Sequence, residues 1–412
     1  MRPTEKHIRT GAKPSNRAAA WWTLLLSGAV FLSGGTARAA TITASSTDFA
    51  DVQAAINTAV EGDTVIVPAG ASSWSNTLTI TKGITLRGAG KSQTSLTGSG
   101  RILTIAPAMG KTCRVTGFHF DGMGRQFWNG MIGISGMARL DHCSLSGAAG
   151  WTVLATDCFG VIDHCLFRSY NGGVMVRHDS WGGHQYGDGS WADAPFLGTT
   201  KALYVEDCDF LNHGQIGAID AVGGAHYVFR YNKVVGDILV CHGTDSTGRT
   251  RGTRAVEIYR NDMTGGPGYA EMFEMRSGTG VVFENTVRSY SGIANLKEFR
   301  SPESGVAFSW EPWGVAKGAS PYDGNTDRSG YPCIDQCGRG KGDLLSQAMP
   351  TPAVWPHQAV EPVYAWGNTL NGGVGTIGSS YSAIKSGRDY INGTQMPGYR
   401  PLAYPHPLAV GI

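Results

Sequence analysis

Charge is scarce in this chain, so the places where it gathers carry information. Asp, Glu, Lys and Arg make up 16% of 412 residues, against a usual ~25%. Several of these charges fall in short runs that alternate with apolar residues. Phe273 and Met275 bracket Glu274 and precede Arg276, Ile219 and Ala221 bracket Asp220, and Val174 and Val176 precede Arg177, His178 and Asp179. Successive side chains of a strand point to opposite faces. Turning the apolar members into a core therefore presents the charged ones to solvent. His242, and the group Lys297, Glu298 and Arg300, stand in similar surroundings. Carboxylates beside guanidinium, ammonium and imidazole groups are the materials of proton transfer and of anion neutralisation. The same row without chemistry would be a solvated strand face with incidental ion pairs.

Something must hold those runs side by side. The chain is about twice the usual domain length, which allows two domains or one elongated repeat fold. Glycine supplies 59 residues, about double the ordinary ~7%. Hydrophobic residues are 41% and aromatics 10%, enough for a core. A turn-rich, Lys/Glu-poor composition excludes coiled coils and charged disordered tails and points to strands. A net charge of +2 with no basic cluster in the body speaks against a nucleic-acid partner.

A repeat supplies the scaffold. An apolar residue, two of any kind, Cys or Asn, one of any kind and another apolar residue recur seven times, with Cys143, Cys165, Cys208, Asn232, Asn261, Asn285 and Asn368 at the fourth place. The intervals are 22, 43, 24, 29, 24 and 83 residues, so two of them are one period lengthened by an insertion. Fixed-period self-similarity is the signature of a solenoid, and the β-branched and aromatic alternation around each copy is that of strands. A thiol or amide turned into a tight bend can bond its counterpart in the next coil and build a ladder.

Residues 1–39 read as an address. Arg2, Lys6, Arg9, Lys13 and Arg17 precede an apolar run from Trp21 to Leu32, and Ala37-Arg38-Ala39 has the form of a cleavage site, the three parts of a secretory signal peptide. Its removal leaves a slightly acidic body, no later segment long enough to span a membrane, and a secreted or periplasmic protein. Val52, Ala55, Ile56 and Ala59 share one face of a short helix ending at Gly62, suited to plugging the open end of a solenoid.

With these residues the chain resembles the pectin-lyase-like superfamily of right-handed parallel β-helices. Val161-Ile162-Asp163-His164-Cys165 and Arg139-Leu140-Asp141-His142-Cys143 are similar to a segment of family-one pectate lyases. The resemblance covers residues 45–412. It implies an all-β fold: a single-stranded right-handed parallel β-helix of about ten coils over residues 40–412, with a short N-terminal capping helix and loop insertions at 181–200 and 302–362. The ladder lies between the second and third strands of each coil, and a substrate groove runs along the first strands and the loops that follow them.

On that geometry Asp220, His242, Glu274, Arg276, Lys297 and Arg300 are the candidate catalytic residues. Arg177, His178, Trp181, Trp191, Trp310 and Trp313 are candidates for holding a glycan, since indole faces pack on sugar rings. Both insertions leave after a first strand, four coils apart. At ~4.8 Å per coil this is roughly 19 Å of groove floor. The implied activity is cleavage of an extracellular acidic polysaccharide by β-elimination. Elimination requires a neutralised carboxylate, a base for the proton α to it and a donor for the leaving oxygen. Calcium is the one ion such chemistry would employ, with Asp179 as ligand, and no other cofactor is implied. Hydrolysis through Asp220 and Glu274 is the first alternative, because carboxyls two coils apart lie about 9.6 Å from each other, near the ~6.5–9.5 Å of inverting enzymes. A non-catalytic glycan-binding surface protein is the second. Arg300-Ser301-Pro302 begins the R-x-P-x-x-R segment of pectate lyases, but Gly305 replaces its second arginine.

Other motifs carry less. Gly90-Lys91-Ser92 lacks the preceding glycine of a phosphate loop, with Thr85 in its place. The doublets Asp141-His142, Asp163-His164 and Glu206-Asp207 would stack on successive coils, as surface decoration or as a metal-holding column. Cys143, Cys165 and Cys208 read as stacked thiols, and Cys333 with Cys337 as the candidate disulfide.

Overall fold

The computed structural model describes residues 38–168, 171–211, 217–243, 250–266, 270–298, 335–342, 358–381 and 384–410. Each coil contributes three short strands separated by bends, and each strand pairs in parallel with its counterpart one coil on. One coil runs Gly217–Val222, His226–Arg230 and Lys233–Val235, and the next begins at Leu239–Cys241. First strands stack with Ile219 opposite Leu239, Leu239 opposite Phe273 and Phe273 opposite Ala294. Among the described residues the third strands form one sheet of eleven, whose last member, Gly373–Gly375, pairs antiparallel. The first and second sheets merge because the strand Ile132–Asp141 runs through both. This is the right-handed parallel β-helix that the resemblance implied, and the ten parallel members of the third sheet match its expected number of coils.

The core is a set of columns. On the second strands Leu140, Ile162, Val205, Phe229, Ile258 and Val282 stack, all buried. On the third strands Phe167 and Phe210 stack face to face with ring centres 4.5 Å apart. The helix Phe49–Thr58 buries Val52, Ala55 and Ile56. No helix among the described residues is long and apolar enough to cross a membrane.

The bend between second and third strands holds the coils together. Asn232 Oδ1 accepts from the Cys208 N–H at 2.9 Å, Asn261 Oδ1 from Asn232 N–H at 2.9 Å, Asn285 Oδ1 from Asn261 N–H at 3.1 Å, and Asn368 Oδ1 from Asn285 N–H at 3.0 Å. Each Nδ2 donates back to a buried carbonyl, Asn261 to Phe229 O at 2.9 Å and Asn285 to Ile258 O at 3.0 Å. Cys208 Sγ continues the column by accepting the Cys165 N–H at 3.4 Å. The residue before each ladder member is left-handed: His142, His164, Asp207, Tyr231, Arg260 and Glu284 have φ between 50° and 57°. That conformation costs about 1–2 kcal/mol for a side-chain-bearing residue, and the ladder bonds offset it.

A feature absent from the sequence expectations covers the outer face of the second sheet. The C-terminal segment crosses it and takes up its charges. Tyr399 OH donates to Glu257, Arg230 donates to Leu402 O and Ala403 O, Glu206 accepts the His406 N–H, and Arg139 donates to Leu408 O. Beneath it Tyr259, Phe283 and Trp366 stack with centres 4.5 and 4.4 Å apart.

Replacing Asn261 by leucine leaves the Asn232 N–H and the Phe229 carbonyl buried without partners. At ~1–3 kcal/mol per group, Asn261→Leu is expected to lower the unfolding free energy by about 2–6 kcal/mol in urea titration. An unaltered midpoint would show that the ladder does not hold the coils.

Candidate active site

The first strands turn Ile219, Ala221, Leu239, Cys241, Phe273 and Met275 into the core, all fully buried. The side chains between them stand on the opposite face. Asp220, Val240, Glu274 and Asn295 are successive partners in one row. His242, Arg276 and Lys297 continue the same strands two residues on, their N–H groups still laddered to Ala221, Cys241 and Met275 carbonyls at 2.8, 2.9 and 2.7 Å. Five of the six residues proposed for catalysis are thereby joined in one chain of contacts. His242 Nε2 lies 2.9 Å from Asp220 Oδ2, His242 Nδ1 lies 3.0 Å from an Arg276 terminal nitrogen, Arg276 Nε is 2.6 Å from Glu274 Oε1, and Lys297 Nζ is 2.5 Å from Glu274 Oε2. The sixth, Arg300, lies outside the described residues.

The order of donors follows from chemistry. A guanidinium only donates, so His242 Nδ1 is the acceptor of its bond from Arg276. Nε2 then carries the proton and donates to Asp220. Side-chain exposure is 22% for His242 and 17% each for Glu274, Arg276 and Lys297, but only 3% for Asp220. The expectation that Asp220 faces open solvent is corrected: it is on the outward side of its strand but covered. Burial pushes its carboxyl above the usual value against the pull of His242. Burial acts in the same direction on Glu274, but Arg276 and Lys297 together hold it below the ordinary carboxylate range. The network thus contains two carboxyls pushed in opposite directions.

Clefts flank this network. One of about 360 Å³ is lined by Arg177, Asp179, Ser180, Gln185, Tyr186 and Thr250. A neighbour of about 490 Å³ shares Ser180 and adds Asp157, Phe159, Trp181 and Lys201. Toward the other end, Glu271, Asn295 and Ser379 line one of about 310 Å³. The two insertions meet on this side. Arg251 pairs with Asp188 of the first at 3.2 Å and with Asp335 of the second at 2.6 Å, while Arg254 pairs with Glu361 at 2.9 Å. Sequence reasoning missed this buried cluster, whose members are far apart in the chain and belong to no repeat.

No protein-family model matches the chain, and no curated protein matches it. Among solved structures it is similar to ORF18 of Geobacillus virus E2, with TM-score 0.42 and 15% identity over 62% of this chain and 54% of that one. It is also similar to an alginate lyase from Paenibacillus sp. str. FPU-7, with TM-score 0.36 and 16% identity over 62% and 97% of the two chains. Against the pectin methylesterase PemA from Erwinia chrysanthemi the values are 0.35 and 9%, over 87% and 94%. The chain spans little more than half of the phage protein. The assignment of fold rests on the strand ladders of this structure.

Several candidate contacts are corrected. Trp191 is 1% exposed: the helical turn Asp188–Ala192 tucks its ring 5.3 Å from both Arg251 and Arg254, with Nε1 donating to Gly252 O at 2.8 Å. His178 is fully buried. Its Nδ1 accepts the His226 N–H at 3.0 Å and its Nε2 faces Cys158 O at 3.1 Å, and burial pushes the imidazole down to about 4. Trp181 is largely packed against Phe196 and His226, although it still lines a cleft. Arg177 and Asp179 are partly exposed but pair with each other at 2.7 Å. The Asp179 carboxylate is thus engaged by a guanidinium, with Asp157 near enough to act on it. Cys337 is a buried free thiol whose Sγ lies 3.2 Å from Met275 O. The candidate disulfide is therefore not formed, since that sulfur is turned into the core beneath the first sheet. Its supposed partner Cys333, and Trp310 and Trp313, lie outside the described residues.

Trp191 is thus a packing residue. Trp191→Ala should destabilise the protein by about 3–5 kcal/mol, read as a lowered denaturation midpoint. A variant as stable as the parent that had lost only glycan retention would restore Trp191 to the groove.

Proposed function

We propose that the protein cleaves an extracellular acidic polysaccharide by β-elimination at the Asp220–His242–Arg276–Glu274–Lys297 network, acting after export. The observation that carries this reading is the double engagement of Arg276, which contacts Glu274 at 2.6 Å and His242 Nδ1 at 3.0 Å at once. An incoming uronate carboxylate is a better partner for a guanidinium than a neutral imidazole is, because charge-assisted bonds are stronger. When Arg276 turns to that carboxylate, the Nδ1 lone pair of His242 is released beside it. The substrate therefore unmasks the base that attacks it. His242 removes the proton α to the carboxylate, and Asp220 stabilises the imidazolium through Nε2. Arg276 and Lys297 stabilise the negative charge that develops on the carboxylate as the proton leaves. Electrons from the broken C–H bond form the C=C double bond as the glycosidic C–O bond breaks, the leaving oxygen takes a proton from water, and the His242 imidazolium returns its own to solvent.

The opposed tendencies of Asp220 and Glu274 favour a second reading. A carboxyl pushed up and another held down are the acid and base of a hydrolase. The products separate the two: elimination yields unsaturated uronate ends that absorb in the ultraviolet, hydrolysis yields reducing ends without them, and a binding protein yields neither.

On a uronate polymer that the parent protein cleaves, Arg276→Ala is expected to lower turnover by at least ~100-fold, the scale of one electrostatic or acid–base group, with little change in melting temperature. Unchanged turnover would return Arg276 to the role of an incidental ion-pair partner.

A further inference from the structure

The tight bend that carries the ladder carries a second column on its outer side. His142 and His164 occupy consecutive coils there, both left-handed with φ of 50° and 53°. Their rings are stacked 4.8 Å apart and 3° from parallel, and about half of each side chain is exposed. Each ring is held from behind. His142 Nδ1 lies 2.8 Å from Asp141 Oδ2 and His164 Nδ1 lies 2.9 Å from Asp163 Oδ2. Both carboxylates are fully buried and paired with Arg114 at 2.6 Å and Arg139 at 2.9 Å respectively.

A carboxylate clamped by a guanidinium is ionised and can only accept. Nδ1 is therefore the protonated nitrogen of both rings, and each Nε2 retains its lone pair. Neither Nε2 bonds to another described residue. A ring oriented through one nitrogen by a carboxylate, with the other left as a donor to an ion, is how metal-ligating histidines are commonly supported. The next bend presents Asp207, also left-handed. Its Oδ1 accepts from Tyr404 OH at 2.7 Å, while Oδ2 is shielded from solvent without a hydrogen-bond partner. That places an uncompensated oxygen one coil beyond His164.

We propose that His142 and His164 form a binding site for a divalent transition-metal ion, each ligating through Nε2, so that the ion links two successive coils. Nitrogen donors select zinc, nickel or copper over calcium and magnesium. Two nitrogens at ~2.0–2.1 Å from one ion stand roughly 3.3–4 Å apart, so the half-exposed rings, parallel here, must tilt toward each other to turn both lone pairs onto it. Water fills the remaining positions, and Asp207 adds negative charge to the neighbourhood. The site lies on a bend that the catalytic proposal does not use.

Calorimetric titration of zinc into the full chain, first stripped with a chelator, tests this at neutral pH. One ion per chain is expected, with affinity at least 10-fold weaker in His142→Asn and in His164→Asn; asparagine adopts the left-handed conformation readily. Zinc should raise the melting temperature of the parent and of neither variant. In the unaltered protein, zinc should shift the imidazole NMR resonances of these two histidines and leave His184 in place. No uptake by the parent, uptake unchanged in both variants, or unmoved resonances for His142 and His164 would each overturn the proposal.

Discussion

The stacking of one coil upon the next through the bend after the second strand is the constraint on which everything else depends. Each Asn side chain there reaches back to the preceding coil, accepting one of its N–H groups and donating to one of its carbonyls. This pins register, and register decides which side chains face outward. A slip of one residue in the strand Glu271–Met275 would turn Phe273 and Met275 to solvent and drive Glu274 into the core. The cost of burying unpaired ions and the ladder geometry thus enforce the same alignment from two sides. Arg276, His242 and Lys297 converge because a bend elsewhere on the coil is fixed.

Charge is used sparingly, and part of it is inside. Arg139, Arg230, Arg251 and Arg254 are all at most 3% exposed, each with carboxylate or carbonyl partners. They fasten the tail and the insertions to the solenoid. The network on the first sheet differs from them in two respects. It lies at the edge of solvent, and its members hold one another. A guanidinium shared between a carboxylate and a neutral imidazole can be drawn away by a stronger partner. One sealed between two buried carboxylates, like that of Arg251, cannot.

Much of this was legible in the sequence because the repeat states it. The Cys and Asn positions gave the ladder, which the bends carry. Parity then gave the outward row. Parity is silent on what lies over a strand, so it did not show the covering of Asp220, whereas His178 shares the inward parity of Val174 and Val176 and is buried with them. The exposed appearance of Trp191 failed for a related reason. Its surroundings are arginines more than 50 residues away, brought close only by the coil. The crossing of the second sheet by residues 399–408 leaves no local signal either, since its partners are backbone carbonyls and charges that alternation alone assigns to solvent.

In the proposed reaction an acidic glycan lies along the first strands with a carboxylate taking over Arg276. A crystal structure of the protein with a uronate oligosaccharide tests this most directly. The expected complex has sugar rings running parallel to the coil axis, one carboxylate on Arg276 and Lys297, and His242 Nδ1 released from Arg276 and facing the carbon next to that carboxylate. An oligosaccharide bound on another face, or seated on the first strands with the Arg276–His242 contact intact, would contradict it.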